Sequence, residues 1–200
     1  MRPYGMNIIP RRILASVIAS ALLACASQKN ESPFESRGLR AGMRFSDLDH
    51  RTSERGGQWK RDDLMMGIVH LERTQQPIGD NPRAARIIAL VNTADNRVLE
   101  VTYAPIYFSA DTAAFTEEMA DVASKWDKIT GGVRDQNGQP PGPYFIQWTS
   151  PDSVWTGTIN YFGSPRGTGG KPDSFEIKER KWEDRQLLLL DSLQSAGKLR

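Results

Sequence analysis

The spacing of apolar residues predicts one long amphipathic helix near the middle of the chain. Between about residues 111 and 129, apolar side chains recur every three or four positions, which places them in one stripe along a helix. The stripe consists of Phe115, Met119, Val122, Trp126 and Ile129. Ser109 or Asp111 would cap its first turn, and Gly131 with Gly132 would end it.

Alternating apolar and polar residues predict a β-hairpin after this helix. Its arms are residues 144–149 and 154–162, and the turn is Ser150-Pro151-Asp152-Ser153. If Thr149 pairs with Val154, the larger apolar residues share one face. That face would hold Tyr144, Ile146, Trp148, Trp155, Gly157, Ile159 and Tyr161. A sheet with one apolar face needs a cover, and the helix stripe is the natural one.

A second hairpin is predicted earlier in the chain, with arms 86–92 and 97–103 around a turn at 93–96. In the simplest register one face of this hairpin would be apolar. Its members would be Ile88, Leu90, Leu99, Val101 and Tyr103. Two further strands are predicted at about 65–73 and 174–180.

These elements predict an α+β fold, in which an amphipathic helix covers one face of an antiparallel sheet. A weaker helix at about 45–54 precedes the first strands, so the order helix, three strands, helix, three strands is compatible with two α-β-β-β units. Residues 182–193 predict a C-terminal helix. We expect a single domain from 39 to 200.

The N-terminus carries an apolar run between Arg12 and Cys25 that is too short to span a bilayer. A basic start, an apolar middle and a small-residue cleavage site are typical of an export signal. Leu22-Leu23-Ala24-Cys25 resembles the bacterial lipobox, which implies diacylglycerol on the Cys25 thiol, cleavage after Ala24 and acylation of the new N-terminus. The alternatives are a secretory signal with a coincidental cysteine, or an uncleaved anchor.

The predicted organisation is therefore a signal peptide at 1–24, a lipidated cysteine with a flexible tether at 25–38, and the domain. The tether is polar, with Phe34 as its single aromatic residue. In the proteobacterial sorting pattern that this region resembles, Asp after the cysteine retains the protein in the inner membrane. Ala26 stands there instead, which implies the periplasmic face of the outer membrane in a host that has one.

Charge and cysteine content narrow the function classes. Without residues 1–24 the chain keeps 23 basic and 24 acidic residues, so nothing in its net charge favours nucleic acid as a partner. Cys25 is the single cysteine. Once it is lipidated, neither a disulfide, a cysteine zinc site nor a cysteine nucleophile remains. The expected partners are the membrane, through the lipid, and an envelope protein.

The sequence predicts no catalytic residues, no metal site and no cofactor. Of the two histidines, His50 lies beside Asp47 and Asp49, too few ligands for a metal, and His70 lies in a predicted strand. The glycine-rich residues 163–171 depart from a phosphate-binding loop, because Pro172 replaces the hydroxyl residue.

One set of residues has two interpretations. Aromatic side chains on a sheet bind sugars or peptides, so Tyr144, Trp148, Trp155 and Tyr161 are a candidate ligand or partner face. The alternative is that they pack in the core beneath the helix. Loops 134–143 and 163–171 would lie at the same end of this sheet region and are further candidates.

Residues 39–44, Leu-Arg-Ala-Gly-Met-Arg, precede a small helix and strands, and they follow a lipobox and a polar tether. This arrangement resembles the small outer-membrane assembly lipoproteins of the β-lactamase-inhibitor-protein-like fold. We therefore expect an anchored envelope lipoprotein that acts as a binding or scaffold and assembly module without catalysis. The alternative is an envelope hydrolase that acts on cell-wall or other polymeric material.

Overall fold

The computed structural model describes residues 31–54, 56–64, 67–75, 84–106, 112–139, 142–162 and 170–182. The chain divides into two compact units, Met1–Glu31 and Ser32–Arg200, and the architecture below is that of the second unit. The predicted signal peptide and Cys25 lie outside the described residues.

An eight-stranded antiparallel sheet forms the centre of the domain. In chain order its elements are α1 (Phe45–Ser53), β1 (Lys60–Asp63), β2 (Ile68–Gln75), β3 (Ala84–Asn92), β4 (Arg97–Ile106), α2 (Thr112–Thr130), β5 (Asp135–Asn137), β6 (Tyr144–Thr149), β7 (Trp155–Phe162) and β8 (Lys171–Glu179). The strands lie in the order β1-β2-β3-β4-β8-β7-β6-β5. The predicted α+β fold is confirmed.

Each half of the chain contributes a helix followed by four strands, one strand more than predicted. The last strands of the two halves, β4 and β8, pair at the centre of the sheet, and β1 and β5 form its two edges. The sequence pattern missed these edge strands because both are short, polar and exposed, so they carry no apolar alternation.

Helix α2 covers one face of the sheet, as its apolar stripe predicts. Phe115, Met119, Val122 and Trp126 are buried. The Trp126 ring meets the Trp148 ring edge-on, with the ring centroids 5.3 Å apart. Gly157 on β7 permits this approach, since a Cβ there would lie 2.8 Å from Cζ3 of Trp126.

The domain begins earlier than predicted. Residues 32–38 were expected to belong to the tether, but Phe34 is fully buried and packs 5.4 Å from the Trp126 ring. Arg37 forms a two-pronged ion pair with Glu118 of α2 at 2.6 and 2.5 Å. Phe34 anchors residues 32–38 to the core. The polar composition of this segment as a whole predicted a tether, because it gave no weight to one aromatic residue.

The β6–β7 hairpin has a register two residues away from the predicted one. Thr149 pairs with Thr156 instead of Val154, and Trp148 pairs with Gly157. The turn includes Val154 because the Ser150 amide bonds to the Trp155 carbonyl at 2.9 Å. A shift of two residues leaves every side chain on its predicted face, because side chains alternate with a period of two.

The β3–β4 hairpin departs from prediction by one residue, and its faces change. Asn92 pairs with Arg97 as expected, but the register shifts at Leu90 and makes Leu99 an extra residue on β4. Val101 and Tyr103 therefore join the core beneath the helices, opposite Ala89 and Ile87. Their predicted grouping with Ile88, Leu90 and Leu99 is wrong.

A smaller apolar cluster forms from Ile68, Leu90, Leu99 and Trp182. Helical conformation begins at Arg180 and extends to Trp182, the last described residue. The rest of the predicted C-terminal helix lies outside the described residues. None of the described helices has the length and apolar content needed to cross a membrane.

Candidate functional site

The four aromatic residues of the predicted ligand face have two different environments. Trp148 and Trp155 are buried in the core, as the packing alternative expects. Trp148 also donates its indole N–H to Oδ1 of Asp127 on α2 at 2.8 Å. These two tryptophans therefore lie beneath the helix and offer no surface to a ligand.

Tyr144 and Tyr161 lie at the end of the same face and are half-buried. They pair directly across β6 and β7, and their rings stack with centroids 4.7 Å apart and an interplanar angle of 1°. The Gly170 amide donates to the Tyr144 hydroxyl at 3.3 Å. The two rings thus form one stacked pair near the end of this face.

Tyr144 and Tyr161 are also among the residues that line a cleft of about 250 Å³, which we call the aromatic cleft. Its lining residues are Asn137, Gly138, Pro143, Tyr144, Phe145, Asn160, Tyr161, Phe162 and Asp173. They come from β5, β6, β7, β8 and the segment that joins β5 to β6. Phe162 is 65% exposed, unusually open for a large apolar side chain.

Two glycines shape the rim of the aromatic cleft. Gly138 has a φ of +85°, and a Cβ there would lie 2.6 Å from the Pro143 carbonyl oxygen. A Cβ on Gly170 would lie 2.5 Å from the Phe162 carbonyl oxygen and 2.7 Å from Cε1 of Tyr144. Both positions need glycine because neighbouring backbone passes too close for a side chain.

A β-bulge brings a carboxylate to the aromatic cleft. Asn160 pairs with Ser174 and Tyr161 pairs with Pro172, so Asp173 is an extra residue on β8. Such an insertion changes the direction of side chains beside it. Burial raises the pKa of Asp173, and Arg86 acts in the opposite direction. Ionisation of the Asp173 carboxyl group is therefore less favourable than in water, because the charged form loses hydration.

The side chain of Tyr161 is also partly buried. Burial raises the pKa of its phenol, and the neighbouring Tyr144 raises it further, whereas Arg134 lowers it. Two groups that would be negative when ionised are thus both shifted toward their neutral forms. Desolvation therefore disfavours the ionised form of both groups, and the positive charges of Arg86 and Arg134 partly offset this.

The polar residues around the two histidines do not form a site. The Asp49 carboxylate accepts bonds from the Arg73 guanidinium at 2.6 Å and the Trp59 indole at 2.9 Å. His50 is exposed. The His70 Nδ1 lies 3.8 Å from Oδ2 of Asp62. Within the described ranges, no three histidine, cysteine, aspartate or glutamate residues are grouped as a metal site would require.

A wider cavity of about 470 Å³ lies between residues 33–37 and α2. Its charged side chains bind one another. Arg37 pairs with Glu118, Lys125 pairs with Asp121 at 2.6 Å, and Arg40, beside the cavity, pairs with Glu35. Because these charges are already paired with one another, this cavity is a weaker candidate for a ligand site than the aromatic cleft.

Sequence reasoning identified Tyr144, Tyr161 and loop 134–143, which contributes to the lining. It missed Phe145, Phe162 and Asp173. The local signal for Asp173 was the polar Lys-Pro-Asp-Ser run before an apolar strand, but the bulge itself left no trace in the pattern. Most of the second predicted loop, residues 163–169, lies outside the described residues.

Comparisons of the chain with protein-family models, with curated proteins and with solved structures found no match.

Proposed function

We propose that this protein is a lipid-anchored lipoprotein of the bacterial cell envelope that acts as a binding or scaffold and assembly module. The attachment point is Cys25, and the place of attachment is the periplasmic face of the outer membrane in a host that has one. The partner is another envelope protein, and the binding surface is the aromatic cleft.

The observation that carries this proposal is the exposure of Phe162 beside the stacked Tyr144 and Tyr161. A large aromatic side chain left in water at the mouth of a cleft loses the stabilisation that burial would provide, roughly 1.5–3 kcal/mol. Exposed apolar groups that line a concave surface are typical of binding sites. A partner that covers Phe162 would recover that free energy.

The early start of the domain supports a short attachment. Only six residues separate Cys25 from Ser32, which is buried. A chain spans at most about 3.6 Å per residue, so a lipid on Cys25 would keep Ser32 within roughly 25 Å of the membrane surface. We therefore expect partners that are themselves at or near the membrane.

Membrane fractionation and intact-mass measurement test the anchor. The wild-type protein should fractionate with membranes, lack residues 1–24 and gain the mass of a diacylglyceryl group and an acyl chain. Cys25→Ser should lose both the added mass and the lipid-dependent attachment. Asn30→Ala is the matched control and should behave as wild type. An unchanged mass for Cys25→Ser would refute the lipoprotein assignment.

Site-specific photocrosslinking in cells tests the binding role. A photoreactive residue at Phe162 should give a discrete, reproducible adduct with one envelope protein. The same residue at Glu117, which is exposed on α2, is the control and should not give that adduct. No adduct at Phe162, or the same adducts at both positions, would count against the aromatic cleft as the binding surface.

A further inference from the structure

We infer that the aromatic cleft binds a lysine or arginine side chain of the protein partner, with the alkyl stem against the aromatic rings and the charged group at the Asp173 carboxylate. This inference rests on the proposed binding function and adds the chemistry of the ligand. It joins three features of the described residues: a single acidic side chain, a largely aromatic wall and an adjacent sheet edge.

The charge of the lining favours a cation. Among the nine described residues that line the aromatic cleft, Asp173 is the one with an acidic or basic side-chain group other than a phenol. Two cations act on the lining: Arg86 of β3 acts on Asp173, and Arg134 acts on Tyr161. A lysine or arginine at the carboxylate would form a charge-assisted hydrogen bond in a partly dry place.

The aromatic wall favours a cation with an apolar stem over a small inorganic cation. Phe145 and Phe162 lie on the same face of the sheet and line the site, with Tyr144 and Tyr161 as their neighbours along the strands, and aromatic faces attract ammonium and guanidinium groups. Lysine and arginine carry three or four methylene groups, which would cover apolar surface while the head group reaches the carboxylate. A volume of about 250 Å³ accommodates one such side chain.

The position of the cleft favours a protein over a free amine. Asn137 of the lining is the last residue of β5, the outermost strand of its half of the sheet, and Gly138 follows it. One edge of β5 pairs with β6, and the other points away from the sheet. A partner segment could therefore lie along β5 by strand addition and place a basic side chain in the cleft.

Calorimetric titration of the full chain carrying Cys25→Ser, in mild detergent at pH 7, tests the inference. The probes are three end-blocked peptides, Gly-Ala-X-Ala-Gly, in which X is lysine, norleucine or acetyl-lysine. We expect the lysine peptide to bind about tenfold more tightly than the norleucine and acetyl-lysine peptides. An N-acetylglucosamine tetramer is the fourth probe and should bind more weakly than the lysine peptide.

Three variants test which side chains cause the preference for the lysine peptide. Asp173→Asn should remove the lysine preference, about tenfold, and leave norleucine binding within about twofold. Glu117→Gln removes one negative charge far from the cleft and should keep the preference. Phe162→Ser should weaken all three peptides. Circular dichroism and the thermal midpoint establish that each variant is folded.

Several results would overturn the inference. Equal affinities for the lysine and norleucine peptides would do so, as would a lysine preference that survives Asp173→Asn or tighter binding of the sugar tetramer. Because the titrated protein carries no lipid, this result is independent of the anchor. If Cys25→Ser fractionates as wild type but lysine binds selectively, the cleft chemistry stands and the lipoprotein assignment falls.

Discussion

Trp148, at the centre of the second half of the sheet, donates its indole N–H to the carboxylate of Asp127 on helix α2 at 2.8 Å. Trp148 is fully buried, so this bond satisfies a polar group that would otherwise lie unpaired in the core. Asp127 also pairs with Arg134 at 3.3 Å, just after the helix. One carboxylate thereby joins the sheet, the helix and the chain leading to the aromatic cleft.

Removal of that carboxylate should destabilise the domain. We expect Asp127→Ala to lower the free energy of unfolding by about 1–3 kcal/mol, because the buried indole N–H loses its acceptor. Asp121→Ala is the matched control. It removes an exposed pair with Lys125 on the same helix and should leave the stability of the domain essentially unchanged, because solvent screens that pair. Urea denaturation measures both, and equal costs would contradict the structural role of Asp127.

The contact between Gly157 and Trp126 predicts a large effect of one methyl group. Gly157→Ala should lower the free energy of unfolding by about 1–3 kcal/mol, since the new Cβ would lie 2.8 Å from the buried ring. Gly142→Ala is the control, because its Cβ would meet the Gln139 carbonyl oxygen at an ordinary 3.4 Å. The thermal midpoint of the Gly142→Ala control should equal that of the wild type. A stable Gly157→Ala protein would mean that α2 lies farther from the sheet.

The early domain boundary predicts a core role for Phe34. Phe34→Ala should lower the free energy of unfolding by about 3–5 kcal/mol, because a fully buried ring is removed from its place beside Trp126. Pro33→Ala changes an exposed neighbour and is the control. Denaturant titration measures the free energy of unfolding of both variants. If Phe34→Ala lowers the free energy of unfolding by less than about 1 kcal/mol, residues 32–38 belong to the tether and not to the domain.

The raised pKa of Asp173 predicts an unusual pH dependence. In the folded state the carboxyl holds its proton more tightly than in the unfolded chain, so its contribution to stability is present at low pH and is lost as pH rises through the folded pKa. At pH 7, Asp173→Asn should therefore be at least as stable as wild type.

The two proteins should approach equal stability as pH falls below about 3.8, the ordinary pKa of aspartate. Thermal midpoints between pH 3 and pH 7 test this. A midpoint for Asp173→Asn clearly below that of wild type at pH 7 would show that the carboxylate stabilises the fold, which would weaken its assignment to ligand binding.

Short-range patterns were reliable where the same face of an element is buried along its length. The stripe from Phe115 to Trp126 predicted α2 correctly, and the β6–β7 alternation assigned both faces correctly despite a two-residue error in pairing. The β3–β4 assignment failed because the extra residue Leu99 shifts the strand by one position. A one-residue bulge reverses the faces, and it depends on contacts that the pattern does not contain.

The sequence by itself determined the α+β class, the central helix and the strands with apolar alternation, because these follow from periodicities of 2 and 3.6 residues within single segments, but not the two polar edge strands. Only the tertiary structure decided which aromatic residues reach the surface. Trp148 and Tyr144 share a strand face, but Trp148 is fully buried and bonded to Asp127 of α2, whereas Tyr144 is half-buried. Asp173 joins Tyr144 in the aromatic cleft across 29 residues of chain, a contact that exists only once β6, β7 and β8 have paired.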